Sequence, residues 1–98
     1  MPEHVHVVAH FRFRPEALEA AEKICRGLLV PTRSEWGCLR YECFRDQEDR
    51  QAITFIEEWS STGALDAHLA SAHVRAAFAE AAPLFAEEPR ILRYTKLG

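Results

Sequence analysis

Residues 57–73 have the sequence EEWSSTGALDAHLASAH, and within them the hydrophobic pattern changes from alternating to helical. The alternation that leads into this segment places Phe55, Glu57 and Trp59 on one face of a strand. Three hydroxyl residues, 60–62, follow, and such side chains accept hydrogen bonds from the free N–H groups of a starting helix. The segment therefore predicts a strand that turns directly into a helix, with a carboxylate and an indole close to the turn.

The helical part of this segment contains two histidines. Leu65, His68 and Leu69 recur at helical spacing and share one helix face. His73 follows His68 by five residues, which is about 140° around a continuous helix. Ser71 can cap a second helical piece, so we predict that the helix breaks there and that the break lets the two imidazoles share a pocket.

The rest of the chain supplies three more strands and another helical region. Alternation and turn residues predict strands over 4–14, 38–45, 52–59 and 91–97, and helical periodicity predicts helices over 15–31, 63–70 and 71–85. The order β-α-β-β-α-β is that of a ferredoxin-like α+β fold, an antiparallel sheet with both helical regions on one face. Right-handed crossovers favour the strand order 4-1-3-2. We expect residues 1–98 to form one domain.

The second strand carries two of the three cysteines. Strict alternation places Leu39, Tyr41 and Cys43 on one face, and it places Cys38 on the other. The two thiols are then expected to face opposite sides, so they cannot pair. An odd number of cysteines without C-x-x-C spacing is typical of reduced thiols, so we expect a cytoplasmic protein.

The composition excludes several classes of protein. Of the 98 residues 48% are hydrophobic, which excludes a disordered chain. With a net charge of −3, the chain lacks the excess of basic residues that is typical of proteins that bind nucleic acid or anionic membranes. Apolar runs are far shorter than the roughly 20 residues of a membrane helix, and the N-terminus is too polar for a signal peptide. We expect neither a nucleic-acid partner nor a membrane partner.

The sheet face that the helices leave uncovered is predicted to be partly apolar. Val8, Phe44 and Ile56 fall on it among charged residues. A mixed face of this size is rarely left open to water. We therefore expect a homodimer in which this face packs on the same face of a second copy about a two-fold axis.

Three segments resemble the antibiotic biosynthesis monooxygenase (ABM) family of dimeric α+β barrels. They are EWGCLRYE at 35–42, EEWSS at 57–61 and ALDAHLASAH at 64–73. The resemblance implies a small-molecule pocket between sheet and helices in each protomer. It also implies oxidation of a quinol or an aromatic, anthrone-like polyketide by O2 without metal, flavin or haem, since the deprotonated substrate itself supplies the electrons.

The resemblance also suggests roles for individual residues. His68 is the expected general base, because the unperturbed pKa of histidine lies near ~6.5. Glu57 and His73 are expected to assist it as further catalytic groups. The substrate is expected to contact four aromatic residues, Phe11, Tyr41, Trp59 and Phe78. The structural alternatives are that His68 bonds only to Glu57 or to a backbone carbonyl and that the aromatic rings are core residues.

Residue types at a few positions bear on other activities found among proteins of this resemblance. Haem-degrading relatives carry Asn, Trp and an iron-binding His where Ala9, His68 and Phe78 stand here, so the resemblance argues against haem. An isomerase of phosphorylated autoinducer sugars, with histidines that resemble His68 and His73, and a non-catalytic small-molecule-binding protein remain alternatives.

The first strand carries three further histidines. His4, His6 and His10 share a strand face, and histidines two apart on a strand can hold a transition metal. The spacing is a weak signal, however, because no carboxylate or cysteine joins them. We expect no metal and interpret them as a polar edge of the dimer interface.

Overall fold

The computed structural model describes residues 3–98 as a four-stranded antiparallel sheet covered by helices on one face. The strands are β1 Val5–Arg12, β2 Cys38–Arg45, β3 Ala52–Trp59 and β4 Arg90–Tyr94; the helices are α1 Leu18–Gly27, α2 Leu29–Arg33, α3 Thr62–Leu69 and α4 Ala72–Ala81, with 3-10 turns at Pro15–Ala17 and Ala82–Leu84. The spatial order β2-β3-β1-β4 is the predicted order 4-1-3-2. The ferredoxin-like fold is therefore confirmed. Across residues 3–98, every helix is too short or too polar to cross a membrane.

The two central strands place alternate residues in the core, as their sequences predict. In β3 the buried positions include Phe55, Glu57 and Trp59. In the register of β1 with β3, Val7 lies opposite Glu57 and Ala9 opposite Phe55, and both residues of β1 are buried. Glu57 is thus a carboxylate in the middle of an apolar sheet face.

The helical region predicted over residues 15–31 is broken into a 3-10 turn and two α-helices. The break lies at Leu28, between α1 and α2. Pro31 in α2 has no N–H to donate to the carbonyl of Gly27, which explains why the α-helical hydrogen-bond ladder does not run through. Ala21, Cys25 and Leu28 of this region are buried and form its apolar stripe.

A β-bulge changes the predicted faces of β2. Cys38 lies opposite Trp59 and Arg40 opposite Glu58, so Leu39 is an extra residue without a partner. Leu39 is 51% exposed, so its predicted place on the core face is wrong.

The bulge also overturns the prediction that Cys38 and Cys43 face opposite sides. Both side chains pack against the core, and both thiols are free. They still cannot pair, because their opposite residues, Trp59 and Phe55, are four apart on β3, or roughly 13 Å along the strand.

Gly37 brings the loop before β2 directly against the start of α3. Its φ of +85° lies in the left-handed region, and its carbonyl accepts a hydrogen bond of 2.8 Å from the Ser60 N–H. A Cβ atom at this position would lie 2.5 Å from Cβ of Ala64 and 2.7 Å from Oγ of Ser60. Only glycine allows this approach, and the approach carries the neighbouring Glu35 towards α3.

The opposite sheet face has no covering element among residues 3–98. It presents five large apolar side chains, Val8, Phe44, Ile56, Leu92 and Tyr94. Phe44 and Tyr94 remain 46% and 48% exposed. The predicted mixed face is therefore present, and its burial by a second copy stays a prediction.

Candidate functional site

A small interior cavity lies between the sheet and helices α3 and α4. Its polar lining consists of Tyr41, Glu57 and His68, and its apolar wall includes Phe11, Phe55, Leu69 and Phe78. The cavity volume is about 30 Å³, which is room for about two water molecules. Five of the seven predicted site residues meet here, Phe11, Tyr41, Glu57, His68 and Phe78; the other two, Trp59 and His73, lie outside the lining.

Trp59 does not line the cavity but positions the Glu57 side chain that does. Its side chain is completely buried, and its Nε1–H donates a hydrogen bond of 2.9 Å to Oε1 of Glu57. This bond follows from the strand period, because residues two apart on β3 face the same side. Trp59 therefore holds the Glu57 carboxyl in place without touching the cavity.

Glu57 is a buried carboxyl with a neutral hydrogen-bond partner. Its pKa is raised to about 7, chiefly by burial; the Trp59 hydrogen bond opposes this rise in part, and the negative charge of Glu35 makes a smaller contribution in the same direction as burial. Glu57 is therefore poised near neutral pH to hold or to release a proton at the cavity.

His68 is paired with a carboxylate that the sequence pattern did not predict. Its Nδ1 lies 2.6 Å from Oε2 of Glu35, whereas the Glu57 carboxyl bonds to Trp59. The structural alternative, in which His68 bonds only to Glu57 or to a backbone carbonyl, is therefore not what the structure shows. A carboxylate only accepts hydrogen bonds, so Nδ1 carries the proton. Nε2 has no hydrogen-bond partner among residues 3–98 and is left to act as a base.

The surroundings of His68 favour its neutral form. The side chain is 4% exposed, and its ring centroid lies 4.6 Å from that of Trp59 and 5.4 Å from that of Tyr41. Burial lowers the pKa of His68, although the hydrogen bond to Glu35 opposes this change. Burial also raises the pKa of Tyr41, so its phenol remains a hydrogen-bond donor at neutral pH.

His73 reaches the same carboxylate from the outer side of the cavity. The predicted break at Ser71 is confirmed, since α3 ends at Leu69 and α4 begins at Ala72. The Ser71 hydroxyl donates to the His68 carbonyl at 2.6 Å and accepts from the Val74 N–H at 3.4 Å. This kink places His73 Nε2 at 3.1 Å from Oε2 of Glu35.

Glu35, His68 and His73 form a three-residue cluster, called here the Glu35 cluster. Of the residues that the structure describes, only these three bring possible metal-ligand atoms from at least three side chains within 4.8 Å of one another. His4, which precedes β1, bonds to Glu58, and His10 in β1 bonds to Thr54. Within residues 3–98, His4, His6 and His10 do not form a metal-ligand cluster. The predicted hairpin of β2 and β3 is the one feature of the sequence that points to Glu35. When these two strands pair, the loop at 35–37 lies next to the end of β3, where α3 begins.

Known proteins resemble the chain in sequence and in fold. A family model described as "Antibiotic biosynthesis monooxygenase" matches residues 4–80. The Mycobacterium tuberculosis protein named "Putative monooxygenase Rv0793" is 35% identical over 69 residues, which are 70% of this chain and 67% of that protein. The crystal structure of an antibiotic biosynthesis monooxygenase has a TM-score of 0.92 at 30% identity, covering 96% of this chain and 99% of that chain.

One of the curated relatives is longer than the chain by a wide margin. The Synechocystis protein sll1783 is 25% identical over 92 residues, which are 94% of this chain, and the chain spans 62% of its length. Together, the family match and the relatives support a general role that is monooxygenase-like or small-molecule-binding.

Proposed function

Because the chain belongs to the antibiotic biosynthesis monooxygenase family, we propose that it is an oxidoreductase that oxidises a quinol or an anthrone-like aromatic molecule with O2 and no cofactor. The observation that carries this proposal is the meeting of two proton-transfer groups, His68 and Glu57, at one interior cavity. Their environments move the two pKa values in opposite directions, as in sites that divide acid and base roles.

The first step is removal of a proton from the substrate. The free Nε2 of His68 accepts this proton, while Glu35 holds the ring through Nδ1 and stabilises the imidazolium that forms. Positioned acid–base groups of this kind contribute roughly 10²–10⁴-fold to a rate.

The remaining steps need only O2 as the oxidant. The substrate anion passes one electron to O2, and the radical pair combines into a peroxide anion. Protonated Glu57 then supplies a proton to the peroxide oxygen, and loss of water leaves a carbonyl group. In the overall balance, the methylene group of an anthrone, or of the keto tautomer of a quinol, and one O2 molecule give a carbonyl group and one water molecule, so that carbon is oxidised and both oxygen atoms are reduced.

The cavity must widen to admit an aromatic substrate, because its volume has room for only about two waters. A second apolar cavity of about 30 Å³ lies beside it, and four side chains line both, Phe11, Leu28, Phe55 and Phe78. Phe78 is half-buried on α4 and contacts Phe11 edge to face at a centroid distance of 5.8 Å. Rotation of Phe78 would join the cavities into one aromatic-lined cleft.

Oxygen consumption with a reduced naphthoquinol or an anthrone tests the proposal. We expect chelator-treated wild-type protein to consume O2. The rate of the His68→Ala variant should be lower by a factor of about 100 or more. His10→Ala is the matched control, since His10 is an exposed histidine on the opposite sheet face. Background rates in all three proteins would reject the oxygenase. Ligand-induced thermal shifts without turnover would then favour a binding protein.

We also propose that the open sheet face packs on a second copy of the chain. The side chains available are Val8, Phe44, Ile56, Leu92 and Tyr94, flanked by charged residues that suit the rim of an interface. Light scattering at micromolar concentration should report a dimer for the wild type and a monomer for Ile56→Arg. A wild-type monomer would contradict this proposal.

A further inference from the structure

The Glu35 cluster has a second use that proton transfer does not require. We propose that Glu35, His68 and His73 bind one divalent transition-metal ion, for which Zn²⁺ is the probe, and that the bound ion switches off His68 as a base. The binding site stands on geometry alone. Only the loss of base function rests on the proposed oxygenase activity.

The donor atoms are already close to the positions that a metal requires. Oε2 of Glu35 lies 2.6 Å from Nδ1 of His68 and 3.1 Å from Nε2 of His73. Ligands about 2.1 Å from a tetrahedral zinc lie about 3.4 Å from one another. A shift of less than about 1 Å brings the Glu35 oxygen to this distance from each ring nitrogen. The ligand atoms all lie within 4.8 Å of one another, so the two imidazoles would approach each other by at most about 1.4 Å as the ion replaces the two bridging protons.

The chemistry of the ligands selects the class of ion. Two imidazole nitrogens and one carboxylate oxygen suit zinc and other first-row transition metals better than Ca²⁺ or Mg²⁺, which prefer oxygen ligands. Three protein ligands leave one tetrahedral position for water. His68 and Glu35 are shielded from solvent, with side chains 4% and 17% exposed, whereas His73 at 29% leaves a path for the ion.

Metal binding would reverse the roles of the two His68 nitrogens. In the hydrogen-bonded form, Nδ1–H faces Glu35 and the lone pair of Nε2 is free to accept a proton. A metal on Nδ1 displaces that proton, and a neutral imidazole must then carry its single proton on Nε2. Nε2 becomes a donor and no longer a base, so the metal-bound protein cannot take the substrate proton through His68.

Titration of chelator-stripped protein with Zn²⁺ and Co²⁺ tests the binding. We expect one ion per chain by calorimetry and a Co²⁺ absorption spectrum of tetrahedral type. His73→Gln and Glu35→Gln should weaken Zn²⁺ binding by at least the roughly 10–100-fold that loss of an outer hydrogen-bond partner costs. His10→Gln and Cys38→Ser are controls for a surface histidine and a nearby thiol, and both should bind as the wild type does.

Unchanged affinity in the His73 and Glu35 variants, or no binding by the wild type, would overturn the proposal. A ¹⁵N NMR spectrum of the histidine rings provides a readout without substrate, because the proton of His68 should move from Nδ1 to Nε2 when Zn²⁺ is added. Binding without this move would reject the switch and leave the metal site standing.

The activity measurement separates this proposal from the oxygenase proposal. If O2 uptake is present, Zn²⁺ should inhibit the wild type at concentrations that leave His73→Gln at its own metal-free rate. If no protein consumes O2, the oxygenase fails, while calorimetry and NMR still decide whether the metal site exists.

Discussion

The molecule holds two buried or half-buried carboxyls near one histidine, and their surroundings differ. Glu57 stands on the regular strand β3 with a single neutral donor, the Trp59 indole, and burial raises its pKa to about 7. Glu35 stands in the loop before β2 between two imidazoles. The comparison shows that the neighbours decide the use of a carboxyl: Glu57 is suited to carry a proton, and Glu35 is suited to orient a base or to hold a cation.

Replacing Glu35 by Gln should have the largest effect on activity. The amide cannot stabilise an imidazolium and does not enforce the Nδ1–H tautomer, so kcat should fall by roughly 10²–10⁴-fold, as when the carboxylate of a catalytic triad is replaced by an amide.

Steady-state oxygen uptake measures this loss, and Glu35→Asp should restore part of the rate. Glu58→Gln is the control, since Glu58 pairs with His4 on the open sheet face. Equal rates for Glu35→Gln and the control would remove Glu35 from the mechanism.

Replacing Gly37 by Ala should break the loop that positions Glu35. The positive φ and the 2.5 Å approach of the new Cβ to Ala64 together predict a loss of about 2–5 kcal/mol of unfolding free energy. Urea denaturation measures the change. Gly63→Ala is the control, because the new Cβ would come no closer than 3.8 Å to Oγ of Ser61, and it should be neutral or stabilising by about 0.4–1 kcal/mol. Similar losses in both variants would contradict the proposed role of Gly37.

Replacing Glu57 by Gln should change how stability depends on pH. The folded state raises the pKa of Glu57 from 4.5 to about 7, so the neutral carboxyl is favoured on folding. Its contribution is complete below pH 4.5 and is lost as the pH rises through about 7. At about 1.36 kcal/mol per unit, ionisation costs on the order of 3 kcal/mol above that pH.

Gln keeps an oxygen that accepts from the Trp59 N–H and cannot ionise. Denaturation across this pH window should therefore show the variant gaining stability relative to the wild type as the pH rises. Parallel stability curves for the two proteins would show that Glu57 titrates at the same pH in the folded and unfolded chains.

The predictable part of the site lies on regular elements. The bounds of β2 and β3 agree with the predicted 38–45 and 52–59, because alternation and turn residues are local signals. The same period brings Glu57 to Trp59, and Ser71 caps the start of α4 with its side chain. The bulge at Leu39 gave no such signal, since alternation continues through it and only pairing with β3 reveals the extra residue.

By itself, the sequence determined the element order, the strand order and the placing of Glu57 and His68 on faces that meet, because side-chain periodicity and capping act over a few residues. The tertiary structure alone decided that Glu35, 33 residues before His68, supplies its carboxylate partner. It also decided that Trp59 lies outside the lining of the cavity. The Glu35 pairing depends on how closely a loop and a helix approach across the end of the sheet, and Gly37 sets that distance through contacts with Ser60 and Ala64 that no local pattern records.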